Sequence, residues 1–463
     1  MNIKIKKGLD LPLGGLPART TVDLRTSAQR YAVLPSDVVG FTPRLMVAEG
    51  DHVEAGHPLL CDKRDPRLYL PASVSGTVVA IERGEKRRLM AVVVEKQTGE
   101  HRKAETSDGQ NRNLGPDSPC WWMLRERPFG TIADPSHSPK GIFVSLLDTN
   151  PLAPDMQYAM RGREHETEAG LKALSALAKV HVCIPKGVAF STNCSNVAVH
   201  TVEGPHPAGN IGTQIAHISP LAKGECAWTI GAQDVANLGH WILTGNYSPE
   251  RTVSVGGPAA RSPHYYRMIV GSSLSLVSQA QLMNQAYPAL SPSDPNGTRI
   301  VSGSVLSGTT VEADGFLGMY DQQITLLPEG NQYEFIGWLM PGLRKFSFSQ
   351  TFLSGFMQLA DKTGLTKLMG NMKPSYDFNT NMHGSVRPFL FTGNFERVFP
   401  FDIYPLQLIK ACIVGDVELQ EKLGIYEVEP EDFALCEFID PSKTDIQAII
   451  REALETLRKE AIA

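Results

Sequence analysis

The chain has 463 residues, of which 42% are hydrophobic and 20% are charged, and its formal net charge is −5 at pH 7. This length suits about three to four domains of ordinary size, and the composition is typical of a soluble, core-forming protein. A weakly acidic chain without a basic block is not expected to bind nucleic acid or to be drawn to an anionic membrane surface.

The N-terminus shows no targeting or anchoring segment. The opening residues, MNIKIKKGLDLPLGG, lack the apolar core of a signal peptide, and no apolar run approaches the ~20 residues of a membrane helix. We therefore expect a chain with no membrane span of its own that is cytoplasmic, unless a partner holds it at a membrane.

The seven cysteines include no Cys-x-x-Cys pair. This argues against a disulfide framework and against a zinc or iron–sulfur site built on the usual spacing. We predict no metal site and expect most of the cysteines to be small buried hydrophobic residues.

The N-terminal part of the chain is β-rich. Residues 1–40 form a segment with alternating Ile3 and Ile5, and glycines interrupt short β runs in residues 47–84. This pattern predicts a small sandwich or barrel. The stretch resembles the biotinyl/lipoyl-carrier hammerhead, a barrel-sandwich hybrid, which we assign to residues 41–100.

In lipoyl carriers, a lysine after an aspartate takes the prosthetic group, and here Lys63 follows Asp62. The hairpin departs from that pattern, because Arg64, Asp65 and Pro66 come next and the return is too long. A lipoyl-type carrier is therefore one hypothesis, and an ordinary solvated turn lysine is the other.

Residues 101–119 are polar and predict a linker. A buried strand over 141–147 then ends in an Asp-Thr-Asn-Pro turn, and Asp155 is placed to cap a helix over 154–178. Because such turns open ligand sites in α/β proteins, this is the first place to look for function.

The same alternation of strand and helix signals continues through residues 120–255. A second apolar strand covers 180–184, a Pro/Gly-rich turn at 204–215 enters a possible helix, and residues 228–245 are predicted to be helical. The pattern predicts a parallel sheet with crossover helices, a Rossmann-like α/β domain.

Residues 256–330 are predicted to form a small β-rich domain of the ubiquitin-like β-grasp type, with strands beginning near Arg251. Residues 331–463 are predicted to be helical. The predicted C-terminal elements are a glycine-broken stretch over 342–372, an irregular stretch over 373–394, and helices over 405–414, 416–423 and 442–460. Ser442 and Asp445 are predicted to form a capping box for the last helix.

This order of domains resembles one family over essentially the whole chain: the A subunit of the sodium-translocating NADH:quinone oxidoreductase, a bacterial respiratory complex with six subunits, lettered A to F. The matching stretches, in order, are KIKKGLDLP (4–12), LLDTNPLAPD (146–155), GPHPAGNIGT (204–213), SGSVLSG (302–308), FERVFPFDIYP (395–405) and EDFALCEF (431–438). The chain is more distantly similar to the C subunit of Rnf-type electron-transport complexes and to the flavin subunit of respiratory complex I.

Those distant relatives carry flavin mononucleotide and iron–sulfur clusters, whose elements are altered here. Residues 121–127 replace a glycine-rich phosphate cradle, and two indoles with a glutamate cannot present a row of backbone N–H groups. Only Cys436 remains of the second cysteine set and Cys412 lies outside the first, so a four-iron cluster has too few thiolates. The resemblance to these relatives therefore implies a degenerate iron–sulfur region within residues 331–463.

The resemblance implies a cofactor-free peripheral subunit on the cytoplasmic side of the inner membrane, soluble when isolated. It implies an enzyme only as part of a translocase: electrons pass from NADH through flavins and an iron–sulfur centre of partner subunits to ubiquinone or menaquinone, and drive Na⁺ export. This chain would take part in the quinone-reduction step without a catalytic centre of its own. The alternative is a structural or assembly subunit with no quinone contact.

The predicted quinone or partner contacts are Trp121, Trp122, Arg125, Arg127, Phe129, Asp148 and Asn150. The indoles can stack on a flat quinone ring while Arg125, Arg127 or His137 bonds its carbonyl oxygens. Alternatively, the aromatic residues plug the emptied flavin pocket or face a partner.

Other polar residues carry the same two interpretations. Asp148 and Asn150 either cap and shape their turn or touch a ligand. His206 either protonates a reduced quinone or is simply an exposed loop histidine. His165, between two glutamates, is expected on a solvated helix face.

Overall fold

The computed structural model describes residues 1–97, 112–281, 297–331, 336–337, 339–349, 352–355, 376, 378–390 and 393–462. Within these residues the chain is a mixed α/β protein with a β-rich N-terminal part and a helical C-terminal part. Part of the predicted linker and most of the predicted glycine-broken stretch lie outside the described residues.

The strands, in chain order, are β1 (Asn2–Lys4), β2 (Ala18–Asp23), β3 (Arg30–Val33), β4 (Pro43–Leu45), β5 (His52–Val53), β6 (Pro58–Asp62), β7 (Tyr69–Pro71), β8 (Gly76–Arg83), β9 (Leu89–Lys96), β10 (Arg125–Arg127), β11 (Thr131–Ile132), β12 (Ile142–Ser145), β13 (Val180–Pro185), β14 (Val197–Glu203), β15 (Ala227–Gly231), β16 (Glu250–Gly256), β17 (His264–Ile269), β18 (Thr298–Ser302), β19 (Thr309–Val311) and β20 (Gln323–Pro328). The α-helices are α1 (Met156–Ala159), α2 (Glu164–Leu177), α3 (Ile211–Ile218), α4 (Ala232–Thr244), α5 (Ser275–Gln281), α6 (Pro405–Val414), α7 (Val417–Lys422), α8 (Ala434–Ile439) and α9 (Ile446–Ile462).

The N-terminal β part consists of two small sheets, with strand orders β3-β9-β8-β5 and β4-β6-β7. Val53, Leu60, Leu70 and Val92 are buried between them. Alternating apolar residues along short strands make one face of each sheet a core face, and the glycine turns end the strands.

The central sheet has seven strands in the order β1-β14-β13-β12-β15-β10-β11. Strands β1, β14, β13, β12 and β15 are parallel, whereas β10 and β11 form an antiparallel edge. The parallel sheet predicted for this region is confirmed. Consecutive residues of β12 face opposite sides: Val144 packs with α2 and α4, and Phe143 packs with α3.

A third region is a six-stranded sheet in the order β19-β18-β20-β16-β17-β2. The N-terminal segment connects three parts of the molecule, because β1, β2 and β3 belong to three different sheets. The C-terminal helices enclose a separate core around Phe399, Phe433 and Ile450.

Three predicted helices were wrong in extent. The one over 154–178 is two helices, α1 and α2, because Gly162 between them has a positive φ of 76°. The one over 228–245 begins with strand β15, and the helix starts only at Ala232. The last helix starts at Ile446, because the Asp440 carboxylate accepts the backbone N–H groups of Ser442 and Thr444 and holds this stretch as a turn. The predicted Ser442–Asp445 capping box is therefore wrong; Asp445 alone accepts from Ala448.

Other local predictions are confirmed. Asp155 caps α1, with Oδ1 accepting the N–H groups of Gln157 and Tyr158. The helix after the Pro/Gly-rich turn is α3, and helices α6 and α7 lie where they were predicted.

Candidate functional site

A cleft of about 860 Å³ lies where the four parts of the described chain meet. Its walls come from the loop after β3, the ends of β12 and β15, the loops of the six-stranded sheet, and the C-terminal helices. Residues from these parts include Asp37 and Phe41; Ser145, Asp148 and Gly231; Gly318, Tyr320 and Asp321; and Glu429, Arg451 and Arg458.

The position of the cleft follows from the strand order. The chain runs from β12 outward through β13 to β14, and then crosses back to β15 on the other side of β12. The strand order therefore reverses between β12 and β15. The carboxyl ends of these two parallel strands leave a crevice between them, which is where open α/β sheets bind ligands. Leu147 and Ile230, at the ends of these strands, line the cleft, as does Ile211 at the start of α3.

The turn after β12 is held by its own polar side chains. Oδ1 of Asp148 accepts the backbone and side-chain N–H groups of Asn150, both at 2.9 Å. Thr149 Oγ1 accepts the N–H of Gly209 at 2.9 Å, and a Cβ at position 209 would stand 2.5 Å from the Thr149 nitrogen. Burial, aided by the negative charge of Glu431, raises the pKa of Asp148. Asp148 and Asn150 both line the cleft while they shape the turn.

Arg125 and Phe129 also line the cleft. The guanidinium carbon of Arg125 lies 4.8 Å from the ring centroid of Tyr320, a cation–π contact. The Tyr320 hydroxyl donates to the backbone oxygen of Trp122 at 2.9 Å, which fixes the ring under the arginine. Phe129 packs edge-on against Tyr426, with ring centroids 6.4 Å apart.

Arg127 does not line the cleft. It is buried among three carboxylates, with Nη1 donating to Asp432 at 3.1 Å, Nη2 donating to Glu431 at 3.1 Å, and Nε lying 3.3 Å from Glu429. Burial raises the pKa of Glu429 and of Asp432, although the charge of Arg127 opposes the rise. Each nitrogen of this guanidinium therefore already has a carboxylate partner within the protein.

Trp121 and Trp122 are also away from the cleft, in a buried 3₁₀ turn over Trp121–Met123. The Trp121 indole N–H donates to the Ala133 carbonyl at 2.9 Å, and the Trp122 indole N–H donates to the Tyr247 hydroxyl at 3.0 Å. Both rings pack in the main core, which agrees with the packing alternative rather than with ligand stacking.

Apart from Asp148, the carboxylates of the cleft wall were not predicted from the sequence. Asp37 accepts the Met319 N–H at 2.9 Å, and burial raises its pKa to about 7. Asp321 accepts from Ser302 at 2.6 Å, and burial raises its pKa as well. For the C-terminal side of the wall, the acidic run Glu429-Pro430-Glu431-Asp432 directly before the buried Phe433 was the available signal.

The remaining sequence candidates lie elsewhere. His206 is buried, with Nδ1 3.1 Å from Thr149 Oγ1, and burial lowers its pKa to about 4. The expectation of an exposed loop histidine is therefore wrong. His137 lies outside the cleft and pairs with Glu126 at 2.8 Å. His165 is exposed on α2, and Lys63 is an exposed residue in the loop after β6.

Cys61, Cys120, Cys183 and Cys436 are buried, and Cys194, Cys226 and Cys412 are partly buried. All seven are free thiols, and four of the seven are buried, which confirms that most of them are buried. Among the described helices, none combines the length and the apolarity that crossing a bilayer requires.

Fold and cleft together define a multidomain α/β protein with a ligand-sized crevice at the carboxyl edge of a parallel sheet. Three family models match: the NqrA N-terminal barrel-sandwich hybrid domain over residues 3–97, the NqrA second alpha/beta domain over 111–247 and the NQRA C-terminal domain over 252–313. The N-terminal β part is thus a barrel-sandwich domain, as predicted.

Relatives that match over their whole length show the family. The A subunit of the Na(+)-translocating NADH-quinone reductase of Yersinia pseudotuberculosis serotype I (strain IP32953) is 36% identical over 471 residues, which cover 99% of this chain and 100% of the relative. The proteins of the same name from Aliivibrio salmonicida and Pseudomonas aeruginosa are 36% and 35% identical, with the same coverage. The chain belongs to the NqrA family, the A subunits of Na(+)-translocating NADH-quinone reductases.

Among solved structures, a chain of an NAD⁺-reducing [NiFe]-hydrogenase in the air-oxidized state matches at 12% identity and a TM-score of 0.31. That match covers 70% of this chain and 60% of the hydrogenase chain. A likeness of this strength indicates neither the fold nor the function.

Proposed function

We propose that this chain is the A subunit of a Na⁺-translocating NADH-quinone reductase and takes part in its quinone-reduction step. The observation behind this proposal is the identity of 36% over 99% of the chain to proteins that carry that name. In the proposed complex of six subunits, lettered A to F, flavins and an iron–sulfur centre in the partner chains pass electrons from NADH to ubiquinone or menaquinone. The chain sits on the cytoplasmic side of the inner membrane as a peripheral subunit without a cofactor of its own.

The cleft is the proposed place for the quinone headgroup. A quinone offers a flat apolar ring with two carbonyl acceptors, so its site needs N–H donors beside apolar side chains. Arg125 supplies guanidinium N–H groups, and Asn150 supplies a side-chain amide. Phe129, Phe41 and Leu147 supply apolar surface in the same cleft.

The acidic wall suits the same chemistry, because quinone reduction to quinol takes up two protons. Asp37, whose pKa burial raises to about 7, and Asp148, whose pKa burial also raises, lie in the cleft. A carboxyl group with a pKa near 7, such as that of Asp37, is a competent proton donor at neutral pH. Their placement supports a role close to the reacting quinone rather than assembly alone.

The domain division is part of the same proposal. The strand order β14-β13-β12-β15 supports a Rossmann-like domain over residues 120–255, and the mixed sheet around β16–β20 supports a small β-grasp-like domain over 256–330. The N-terminal segment 1–40, the hammerhead 41–100, the linker 101–119 and the helical part 331–463 complete the chain.

Membership is tested by affinity purification of the tagged chain from membranes of a cell that contains the complex. We expect membrane-embedded and peripheral subunits to co-purify, and deletion of the chain to abolish quinone reduction while NADH oxidation by an artificial acceptor persists. Recovery of the chain without membrane partners would overturn membership.

Quinone contact is tested separately, on the assembled complex and on the purified chain, with a short-chain ubiquinone. Calorimetric titration is expected to show saturable binding that Arg125→Ala and Phe129→Ala weaken at least tenfold. Arg67→Ala, an exposed arginine outside the cleft that pairs with Asp65, is the matched control. No saturable binding in a complex that assembles normally would leave the structural or assembly role.

A further inference from the structure

Three potential metal ligands converge at the antiparallel edge of the central sheet: a carboxylate oxygen of Glu126, a ring nitrogen of His137 and the thiol of Cys226. These atoms all lie within 4.8 Å of one another. In the part of the chain that the structure describes, no other group of three His, Cys, Asp or Glu residues comes this close. They come from three places: strand β10, the loop after β11 and the residue before β15.

The carboxylate of Glu126 is held in place by two hydrogen-bond donors. Glu126 sits between Arg125 and Arg127 on β10, so its side chain points away from theirs, to the face of the sheet opposite the Arg127 cluster. There Oε2 accepts the Trp228 indole N–H at 2.8 Å and the Asp134 backbone N–H at 3.4 Å. Both donors hold Oε2, which leaves Oε1 facing the histidine.

Such outer hydrogen bonds are what a metal-binding carboxylate needs, because they fix the angle at which it presents its free oxygen. Glu126 is nine-tenths or more buried, at 6% relative exposure, so this orientation is built into the core rather than adopted by a mobile surface side chain. The Glu126–Trp228 pair is also a register pair of the β10–β15 ladder.

The other two ligands approach from the solvent side. His137 Nδ1 lies 2.8 Å from Glu126 Oε1, and its ring is about half exposed, at 53%. Cys226 is partly buried, and the only hydrogen bond of its thiol within the described residues is a long one, 3.8 Å, to the Ser138 carbonyl. The group is therefore open to solvent on the side of His137.

An ordinary ion pair between Glu126 and His137 explains two of the three residues but not the thiol beside them. A carboxylate, an imidazole nitrogen and a thiolate form a mixed O, N, S set that suits zinc-class divalent ions and suits Mg²⁺ or Ca²⁺ poorly. Tetrahedral bonds of ~2.0–2.3 Å place neighbouring ligand atoms about 3.3–3.8 Å apart. The three ligand atoms here lie within 4.8 Å of one another, and the closest pair, His137 Nδ1 and Glu126 Oε1 at 2.8 Å, would move slightly apart to admit the ion.

We propose that Glu126, His137 and Cys226 form a binding site for one zinc-class divalent ion, with water in the fourth position. The site would clip the loop after β11 to the edge of the central sheet, on the face opposite the cleft side of β10. This assignment is independent of quinone binding. It departs from the sequence expectation of no metal site, which rested on Cys-x-x-Cys spacing that a site assembled from three separate segments does not have.

Cobalt(II) is the probe, because a cobalt–thiolate bond gives a near-ultraviolet charge-transfer band and a four-coordinate ion gives intense visible bands. We expect the purified, chelator-treated full chain to develop both bands and to saturate at a single equivalent of Co²⁺. Zinc is expected to remove the bands by displacement and to raise the Tm of the chain.

Variants identify the ligands. Cys226→Ser is expected to abolish the charge-transfer band, and His137→Gln to weaken Co²⁺ binding at least tenfold; both positions are partly exposed, and circular dichroism checks that the variants fold. Cys194→Ser is the matched control, because Cys194 is also partly buried and lies 3.6 Å from a carboxylate oxygen of Glu168. Absence of a charge-transfer band in the parent chain, or a band that survives Cys226→Ser, would overturn the site.

Discussion

Arg127 on β10 donates a hydrogen bond from Nη1 to Oδ2 of Asp432, at 3.1 Å and across 305 residues of sequence. The bond joins the edge of the central sheet to the C-terminal helical part. It passes directly over the first turn of α3, where a Cβ at Gly212 would stand 2.5 Å from both the guanidinium and the carboxylate. Arg127 and Asp432 can therefore form this hydrogen bond only because residue 212 has no side chain.

Removal of Arg127 leaves buried carboxylates without a cation. We expect Arg127→Met to lower the free energy of unfolding by about 3–5 kcal/mol, because breaking a buried ion pair exposes an uncompensated charge to the protein interior. Urea denaturation of the purified chain measures this. Arg67→Met is the control, since its partner Asp65 is at the surface and such pairs contribute less than about 1 kcal/mol. Equal effects of the two substitutions would contradict a structural role for the buried cluster.

The burial of His206 predicts that the free energy of unfolding depends on pH. Burial lowers its folded-state pKa to about 4, with the charge of Glu431 opposing the shift, whereas the unfolded chain titrates near 6.5. Between these values the unfolded chain binds the proton, so the stability from His206 is present above pH 6.5 and is lost as the pH falls towards 4.

The measurement is the difference in free energy of unfolding between the parent chain and His206→Gln at several pH values. That difference is expected to shrink by about 2 kcal/mol from pH 7 to pH 5, because only the parent loses the His206 contribution. His200, whose pKa burial also lowers to about 4, is present in both chains and cancels. A difference that stays constant with pH would show that His206 is not held neutral; His165→Gln, at an exposed histidine, is the control.

Trp122 separates packing from ligand contact. Its indole is 1% exposed and donates to the Tyr247 hydroxyl, so we expect Trp122→Ala to cost about 3–5 kcal/mol of stability. The exposed aromatic Tyr404 is the control, and Tyr404→Ala should cost less than about 0.5 kcal/mol in the isolated chain. Thermal and urea denaturation give both numbers. A Trp122→Ala chain as stable as the parent would contradict the core placement.

The burial of Trp122 and Arg127 decides which residues can be used to test quinone binding. Loss of binding in Trp122→Ala or Arg127→Ala would be confounded with loss of fold. Arg125 and Phe129 are the better probes, because both line the cleft and neither is fully buried.

The local features of this chain were predictable because their causes lie within a few residues. The side chains of Asp148 and Asp155 accept backbone N–H groups two or three positions away. Aspartate is a residue type that favours turns and helix caps, so both features could be predicted. The boundary between β15 and α4 was missed, because Gly231 is the only residue at the junction that signals a break, and the helix follows the strand directly.

The cleft was only partly predictable for the opposite reason. Arg125, Phe129, Asp148 and Asn150 follow from one stretch of sequence, but Asp37, Asp321 and Glu429 reach the same cleft from distant segments. Likewise, the sequence around Arg127 contains nothing that indicates a partner near residue 432. Long-range pairing of this kind depends on tertiary packing, which periodicity and spacing do not encode.

The contact between α2 and α4 depends on two glycines, and it supports the last prediction. A Cβ at Gly239 would stand 1.7 Å from the Glu166 carbonyl oxygen, and one at Gly170 would stand 2.1 Å from the Val235 carbonyl oxygen. In an isolated helix, glycine to alanine adds up to about 1 kcal/mol of stability. Here we expect Gly239→Ala to destabilise the chain by about 1–3 kcal/mol or more, because both obstacles are backbone atoms and the helices must move apart. Leu243→Ala, at an exposed position of α4, is the control and should change the free energy of unfolding by less than about 0.5 kcal/mol. A stabilising Gly239→Ala in urea denaturation would show that the two helices do not pack this closely.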